Sequence, residues 1–218
     1  MPRTTSFALR LAACTLGAAI AAPALAAEED TQLWTTFTLA GSVAPRLDGG
    51  IEVSPRARSE DAGGDQVLSR VLADYRLTPS VMVGGGLTYL DSAGSHEWRP
   101  HQQLLVTTGP VTFRTRLEER FVAGADRMEL RLRQRVQVAF ALDEGFTAAA
   151  GAEVLALFQA RDAGEAARLE QWRAQFTLRK RIAPQIEATA GYLVILSPRE
   201  GRADRLSHVP QIAFTLRP

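Results

Sequence analysis

Apolar and charged side chains alternate one for one through the middle of the chain, and that rhythm limits its possible folds more than any other feature. Val111, Phe113, Thr115 and Leu117 interleave with Thr112, Arg114, Arg116, Glu118 and Arg120. Met128, Leu130, Leu132, Val136, Val138 and Phe140 interleave in the same way with Glu129, Arg131, Arg133, Arg135 and Gln137. A helix would spread these arginines around its whole circumference, whereas a strand gathers them on one side. The period is two, and the element is a strand with one apolar and one charged face.

About eleven such runs follow one another, at 32–43, 48–58, 66–77, 80–90, 98–108, 110–122, 127–141, 145–158, 168–181, 185–197 and 206–217. Each is near the roughly 9–11 residues that a tilted strand needs to cross a bilayer. The connections alternate in kind. Ala44-Pro45, Thr78-Pro79, Gly109-Pro110, Asp143-Glu144-Gly145 and Ala183-Pro184 are tight, while those near 59–65, 91–97, 123–126, 159–167 and 198–205 are mostly longer and more polar. Short turns on one side and longer loops on the other mark a transmembrane barrel, with the short set periplasmic. The expected fold is all-β: an antiparallel up-and-down transmembrane barrel. Single-chain bacterial barrels have even strand numbers, so a reading of eleven runs leaves ten to twelve strands expected.

The start of the chain points to export. Arg3 and Arg10 precede an apolar run from Leu11 to Ala22, and Ala24-Leu25-Ala26 offers small residues two apart ahead of Glu28-Glu29-Asp30. This is the layout of a cleaved secretory signal over residues 1–26, with the barrel domain over 27–218. Leu11-Ala12-Ala13-Cys14 also fits a lipoprotein cleavage pattern, but only Phe7-Ala8-Leu9 stand before it as an apolar core, against the roughly 7–15 residues such cores usually run. Cleavage after Ala26 leaves 23 basic and 24 acidic residues. A net charge of −1 speaks against nucleic acid as a partner. The one cysteine leaves with the signal, and with it any thiol for catalysis or metal binding. No cofactor is implied.

A soluble β-sandwich or lipocalin-like barrel would show the same alternation, with its apolar face turned inward. Overall composition does not separate the two, since a mean hydropathy of −0.06 suits either. The basic residues do. Lys180 is the single lysine, and arginine is the better partner for carboxylates in half-buried bidentate pairs.

A hairpin centred on Ala123-Gly124-Ala125-Asp126 sets Arg120 opposite Glu129 and Glu118 opposite Arg131, then Arg116 opposite Arg133 and Arg114 opposite Arg135. Opposite charges facing across strands help by tenths of a kcal/mol, and like charges cost a similar amount. The loop half of this hairpin therefore neutralises itself, and the other half leaves four guanidiniums to be answered. Glu153 and Glu187 are the first candidates, with Asp74 and Glu52 available from the other side. Together these residues form an expected lumen charge cluster, serving either as a packed network or as a constriction that attracts anions.

Catalytic patterns are thin. Ser207-His208 opens the last run, but adjacent strand residues point to opposite faces and cannot act together. His96 and His101 have no partner pattern, and Gly84-Gly85-Gly86 lies within a strand, where it reads as a close approach in a barrel wall. Trp34, Trp98, Trp172, Tyr75, Tyr89 and Tyr192 fall near strand ends, as the aromatic girdles of membrane barrels do.

Gln32-Leu33-Trp34, Arg99-Pro100-His101-Gln102-Gln103, Arg114-Thr115-Arg116-Leu117-Glu118-Glu119-Arg120-Phe121 and Arg131-Leu132-Arg133-Gln134-Arg135 resemble the bacterial family known only as domain of unknown function 2490, a set of predicted outer-membrane barrels. The resemblance implies the barrel and the outer membrane over essentially all of residues 27–218, and no activity. Many barrels end on an aromatic residue, whereas this chain ends Phe214-Thr215-Leu216-Arg217-Pro218.

The expected role is non-enzymatic: a narrow, anion-preferring passive channel or a sealed structural barrel with an arginine-rich lumen. Its expected partners are outer-membrane lipids, the barrel-insertion machinery and small anionic solutes. Two other roles fit the pattern. One is a hydrolase of phospholipid or lipopolysaccharide with a site near His208 at the rim. The other is a surface-binding protein acting through loops 59–65 and 198–205.

Overall fold

The computed structural model describes residues 27–218. The signal read over residues 1–26 lies outside the described residues. A short first strand, β1 (Glu28–Thr31), runs into β2 (Leu33–Ala44), and ten more strands follow: β3 (Leu47–Ala57), β4 (Gln66–Thr78), β5 (Val81–Ser92), β6 (Ser95–Thr108), β7 (Val111–Val122), β8 (Glu129–Ala141), β9 (Phe146–Gln159), β10 (Arg168–Ala183), β11 (Ile186–Ser197) and β12 (Arg205–Leu216). Each strand from β2 to β12 pairs with the next in antiparallel fashion, and β12 returns to β2 to close the ring.

The closure answers the question of strand number. Eleven strands span the wall, so the first and last run in the same direction, and β12 meets β2 in parallel from Gln211–Trp34 to Leu216–Leu39. An even count, the rule for single-chain bacterial barrels, would have made that pair antiparallel; the eleven runs of the sequence are these eleven strands. β1 continues the seam toward the loop end, pairing in parallel with β12 from Glu28–Arg205 to Thr31–His208. Its acidic Glu28-Glu29-Asp30 carries no alternating apolar residues, which is why the periodicity begins only at Gln32.

Outside the wall, Phe37, Ile51, Val71, Phe113, Phe176 and Phe214 are all exposed. A soluble barrel would bury this face; a hydrocarbon layer is its natural solvent. The inward face carries the charges. Trp98, Trp172, Tyr75 and Tyr192 point outward as girdle residues, and Tyr89 packs against Trp98 with ring centroids 4.7 Å apart and planes tilted by 50°. Trp34 is the correction among the aromatics, because it shares inward parity with Thr36, whose hydroxyl meets Ser54 across the lumen wall at 3.0 Å.

The glycines in β5 follow from lumen packing. A Cβ on Gly84 would overlap the Asp74 carboxylate, and one on Gly86 would stand 2.8 Å from the His101 ring. The connection near 91–97 is tighter than its polarity suggested: Ser92 pairs with Ser95, and Ala93-Gly94 turns alone, with Gly94 at φ 80.

Candidate functional site

The lumen site is built on the β7–β8 hairpin. Its register pairs Arg120 with Glu129, Glu118 with Arg131, Arg116 with Arg133 and Arg114 with Arg135, which is the register centred on the loop. Because every one of these positions points inward, the side chains meet in the lumen rather than in lipid.

At the loop end the charges are cross-braced. Arg131 reaches Glu118 Oε2 through Nε at 2.9 Å and Nη2 at 2.5 Å. Arg120 pairs with Glu129 and also holds Glu97, Nε to Oε1 at 2.5 Å and Nη2 to Oε2 at 3.0 Å. Arg99 grips the same Glu97, with Nη2 to Oε2 at 2.8 Å. From β10, Glu170 joins Arg131 at 2.9 Å and Arg120 at 3.3 Å. A register shift between Leu169 and Gln171 accompanies the inward placement of Glu170 and Gln171 side by side.

The four guanidiniums nearer the turns fare differently. Glu153 accepts from Arg133 at 2.7 Å and from Arg114 at 2.6 Å, and it stands 3.7 Å from Arg173. Arg133 also donates to Glu118 at 2.9 Å. Arg116 donates to the Gln103 amide oxygen at 2.7 Å, and Gln103 in turn donates to Asp74 at 2.7 Å. Arg135 makes no ion pair among the described residues, and its Nε has no hydrogen-bond partner.

Glu187, expected beside Glu153, sits elsewhere. Its register partner is Arg181 at the turn end of the barrel, where its carboxylate lies near Arg217 at 3.3 Å and Arg179 at 3.6 Å. Only the face of the strand could be read from sequence; Glu187 is the second residue of β11, too far along it to reach the cluster. Glu52 pairs with Arg70 at 3.6 Å, and Asp74 is satisfied by Gln103 rather than by an arginine.

Sequence reasoning missed Arg56, Arg70, Arg99, Arg173, Glu97 and Glu170. Parity was the available signal, since Glu97, Arg99, His101 and Gln103 share one face of β6. With these included, the six arginines of β7 and β8 and the four elsewhere share six glutamates and Asp74, leaving three guanidiniums in excess. Charged groups taken out of water need close partners to recover their lost hydration. Here the partners run short.

The excess faces a cavity of about 390 Å³ inside the barrel. The arginine wall lies on one side of it. On the other side are Thr36, Ser54, Gln175 and Gln211, together with Trp34, Leu193 and Ile195. The side chain of Gln175 donates to Gln211 at 2.6 Å, closing a neutral polar strip.

At the loop rim, β1 is clasped in place. The Asp30 carboxylate accepts from Gln32 at 2.6 Å, Ser59 at 2.9 Å and Ser207 at 3.1 Å. Partial burial pushes this carboxyl up, but the three donors outweigh it and hold the group below the ordinary carboxylate range. The Arg199 guanidinium, 2.7 Å away, likewise lowers Glu28. Arg205 donates to the Asp61 carbonyl at 2.6 Å, so loops 58–65 and 198–204 and the first strand form one rim. Ser207 is thus turned inward and committed to Asp30. His208 faces outward, its Nδ1 2.8 Å from the Tyr192 hydroxyl. The two are on opposite faces of the wall and build no nucleophile–base pair. His101 is buried in the lumen with Nε2 unpartnered among the described residues, and the ring of His96 lies 6.3 Å from that of Tyr89.

A family model described as a protein of unknown function, DUF2490, matches residues 31–206. An uncharacterised protein of Methylorubrum extorquens is 25% identical over 202 residues, covering 87% of this chain and 88% of its own length. Among solved structures, the NanC porin superposes with a TM-score of 0.54 at 14% identity, over 78% of this chain and 85% of that one. The likeness to the porin is one of fold.

Proposed function

Because the chain belongs to the DUF2490 family of unknown function, its role must be read from its own lumen, and we propose that it is an outer-membrane barrel acting as a narrow, passive, anion-preferring channel. The observation that carries this reading is the excess of three guanidiniums beside a cavity of about 390 Å³. A lumen built only to seal the barrel has no use for uncompensated charge, which costs desolvation and gains no partner. A path for anions does, because fixed positive charge in a low-dielectric tube raises the local concentration of anions and repels cations. The outward apolar belt supports a membrane location, and the porin-like fold supports the outer membrane in particular. The reading assigns no chemical step to any residue.

The test is single-channel conductance of residues 27–218 refolded into a planar bilayer under a salt gradient. Stable steps are expected, with a reversal potential on the anion side that moves toward zero in the Arg135→Gln variant. A barrel that folds, as judged by heat-modifiable gel mobility, and never conducts would overturn the channel.

A further inference from the structure

Barrel interiors that carry water are polar throughout, and one side of this cavity is not. Leu193 and Ile195 point inward from β11 and are only 5% and 4% exposed. With Val209 they form a cluster against which Trp34 packs. Leu68, on the inward face of β4, also lines the cavity. The indole is fixed from one edge, its Nε1 donating to Gln32 at 2.9 Å. Over its ring, at 3.9 Å from the centroid, lies the guanidinium of Arg56.

Arg56, like Arg135, is a lumen cation without a carboxylate partner among the described residues, and its Nε has no hydrogen-bond partner. The charges that act most strongly on it are those of Arg99, Arg173 and Arg70, with Glu52 the one acid among them. That acid is already paired with Arg70. Arg173, which lines the same cavity from β10, spends two of its donors on the Gln171 oxygen, at 2.9 and 2.5 Å, and its Nη1 stands 3.7 Å from Glu153. A guanidinium stacked on an aromatic face keeps its in-plane donors free, and those donors match a carboxylate in fork geometry.

We propose that this corner of the lumen is a binding site for organic carboxylates with a compact apolar body, the carboxylate held by Arg56 and Arg173 and the body seated against Trp34, Leu193 and Ile195. A site of this kind combines an apolar lining with a few converging polar groups, in a volume within the roughly 300–1,000 Å³ range of ligand pockets. The proposal rests on the channel reading only for the route by which the ligand arrives. It adds what that reading lacks, a reason for apolar residues beside the charge. An inorganic anion would gain from the arginines alone, and a neutral apolar molecule would leave Arg56 unpaired.

Trp34 supplies the readout. In the Trp98→Phe, Trp172→Phe background it is the one tryptophan left, and its emission reports this corner directly. The refolded barrel in lipid nanodiscs is titrated with cyclohexanecarboxylate, which does not absorb where tryptophan is excited. A saturable change in emission is expected, with acetate, inorganic phosphate and cyclohexylmethanol each at least ten-fold weaker. Arg56→Gln should weaken cyclohexanecarboxylate at least ten-fold, and Ile195→Thr should weaken it while leaving acetate unchanged. An equal response to the alcohol would show partition into lipid, and an equal response to phosphate a plain anion site; either overturns the proposal. So does an unaltered titration in both variants, each first shown to be folded by gel mobility. The titration needs no conductance, so a silent barrel that binds the ligand sinks the channel and not the site.

Discussion

Glu118 ties the lumen network together at the residue scale. It is 3% exposed, and Arg131, Arg133 and Arg116 approach it at 2.5, 2.9 and 3.7 Å. Glu118→Gln keeps the shape and removes the charge, leaving Arg131 to Glu170 and Arg133 to Glu153. Breaking a buried pair by removing one partner costs about 3–5 kcal/mol, and the remaining acids place this change near the lower end, about 3 kcal/mol. The exposed pair of Glu165 with Arg168 provides the comparison, since such pairs contribute about 0–1 kcal/mol. Urea unfolding of Glu118→Gln and Glu165→Gln by tryptophan emission checks this; equal losses would mean that lumen water, not Glu118, solvates these arginines. Glu118 and its partners were legible from sequence because a hairpin with a short loop fixes which residues face each other. Trp34 and Arg56 were not, although they are register partners. They were open to a narrower inference: Trp34 shares its face with Thr36 and Thr38, while Leu33, Phe37 and Leu39 hold the lipid side. Reading the aromatic by its position near a strand end gave the wrong face.

At the scale of elements, the seam sets this barrel apart. Ten antiparallel junctions are made by strands adjacent in sequence, whose register is fixed by the connection between them. The β12–β2 junction joins the two ends of the chain in parallel over six residue pairs, and β1 extends it at the rim. Side chains reinforce this closure at the rim, where Asp30 is bound to both Ser59 and Ser207. Sequence patterning revealed every long strand, since each has its own alternation. It could not reveal β1, whose partner is nearly 180 residues away and whose residues have no apolar face. Thr38 and Thr215 are partners across the seam and both face the lumen. Their replacement by cysteine tests the junction in a domain with no cysteine of its own. The Cα spacing of neighbouring strand partners falls within the roughly 4.4–6.8 Å a disulfide spans. Oxidation of Thr38→Cys, Thr215→Cys should form an intramolecular bond in nearly all folded molecules and raise the temperature at which the compact gel form is lost. Free thiols in the folded barrel, or disulfide-linked dimers, would place another strand between β12 and β2.

For the whole molecule, an odd number of strands has a consequence for topology. Strand direction reverses at each connection, so eleven crossings put the start of β2 and the end of β12 on opposite sides of the bilayer. β1 lies with the longer loops, bound to Ser59 and to Arg199, while Leu216 ends beside Ile186 at the tight turns. Short turns face the periplasm, so β1 should be displayed on the cell surface and the end of β12 held inside. An even-stranded barrel with the same turns would keep both in the periplasm, and the two architectures therefore differ at a single accessible position. The side chain of Glu29 is exposed and takes no part in the Asp30 contacts, and Pro218 is exposed past the last strand. Glu29→Cys should react with a membrane-impermeant maleimide in intact cells to the same extent as a reference Glu200→Cys in the loop between β11 and β12. Pro218→Cys should react only after the outer membrane is permeabilised. If Glu29→Cys is protected while Glu200→Cys is labelled, the first strand does not sit on the loop rim and the parallel seam is wrong. If all three are protected, the barrel is oriented the other way or lies in a different membrane, and the surface role of loops 58–65 and 198–204 falls with it.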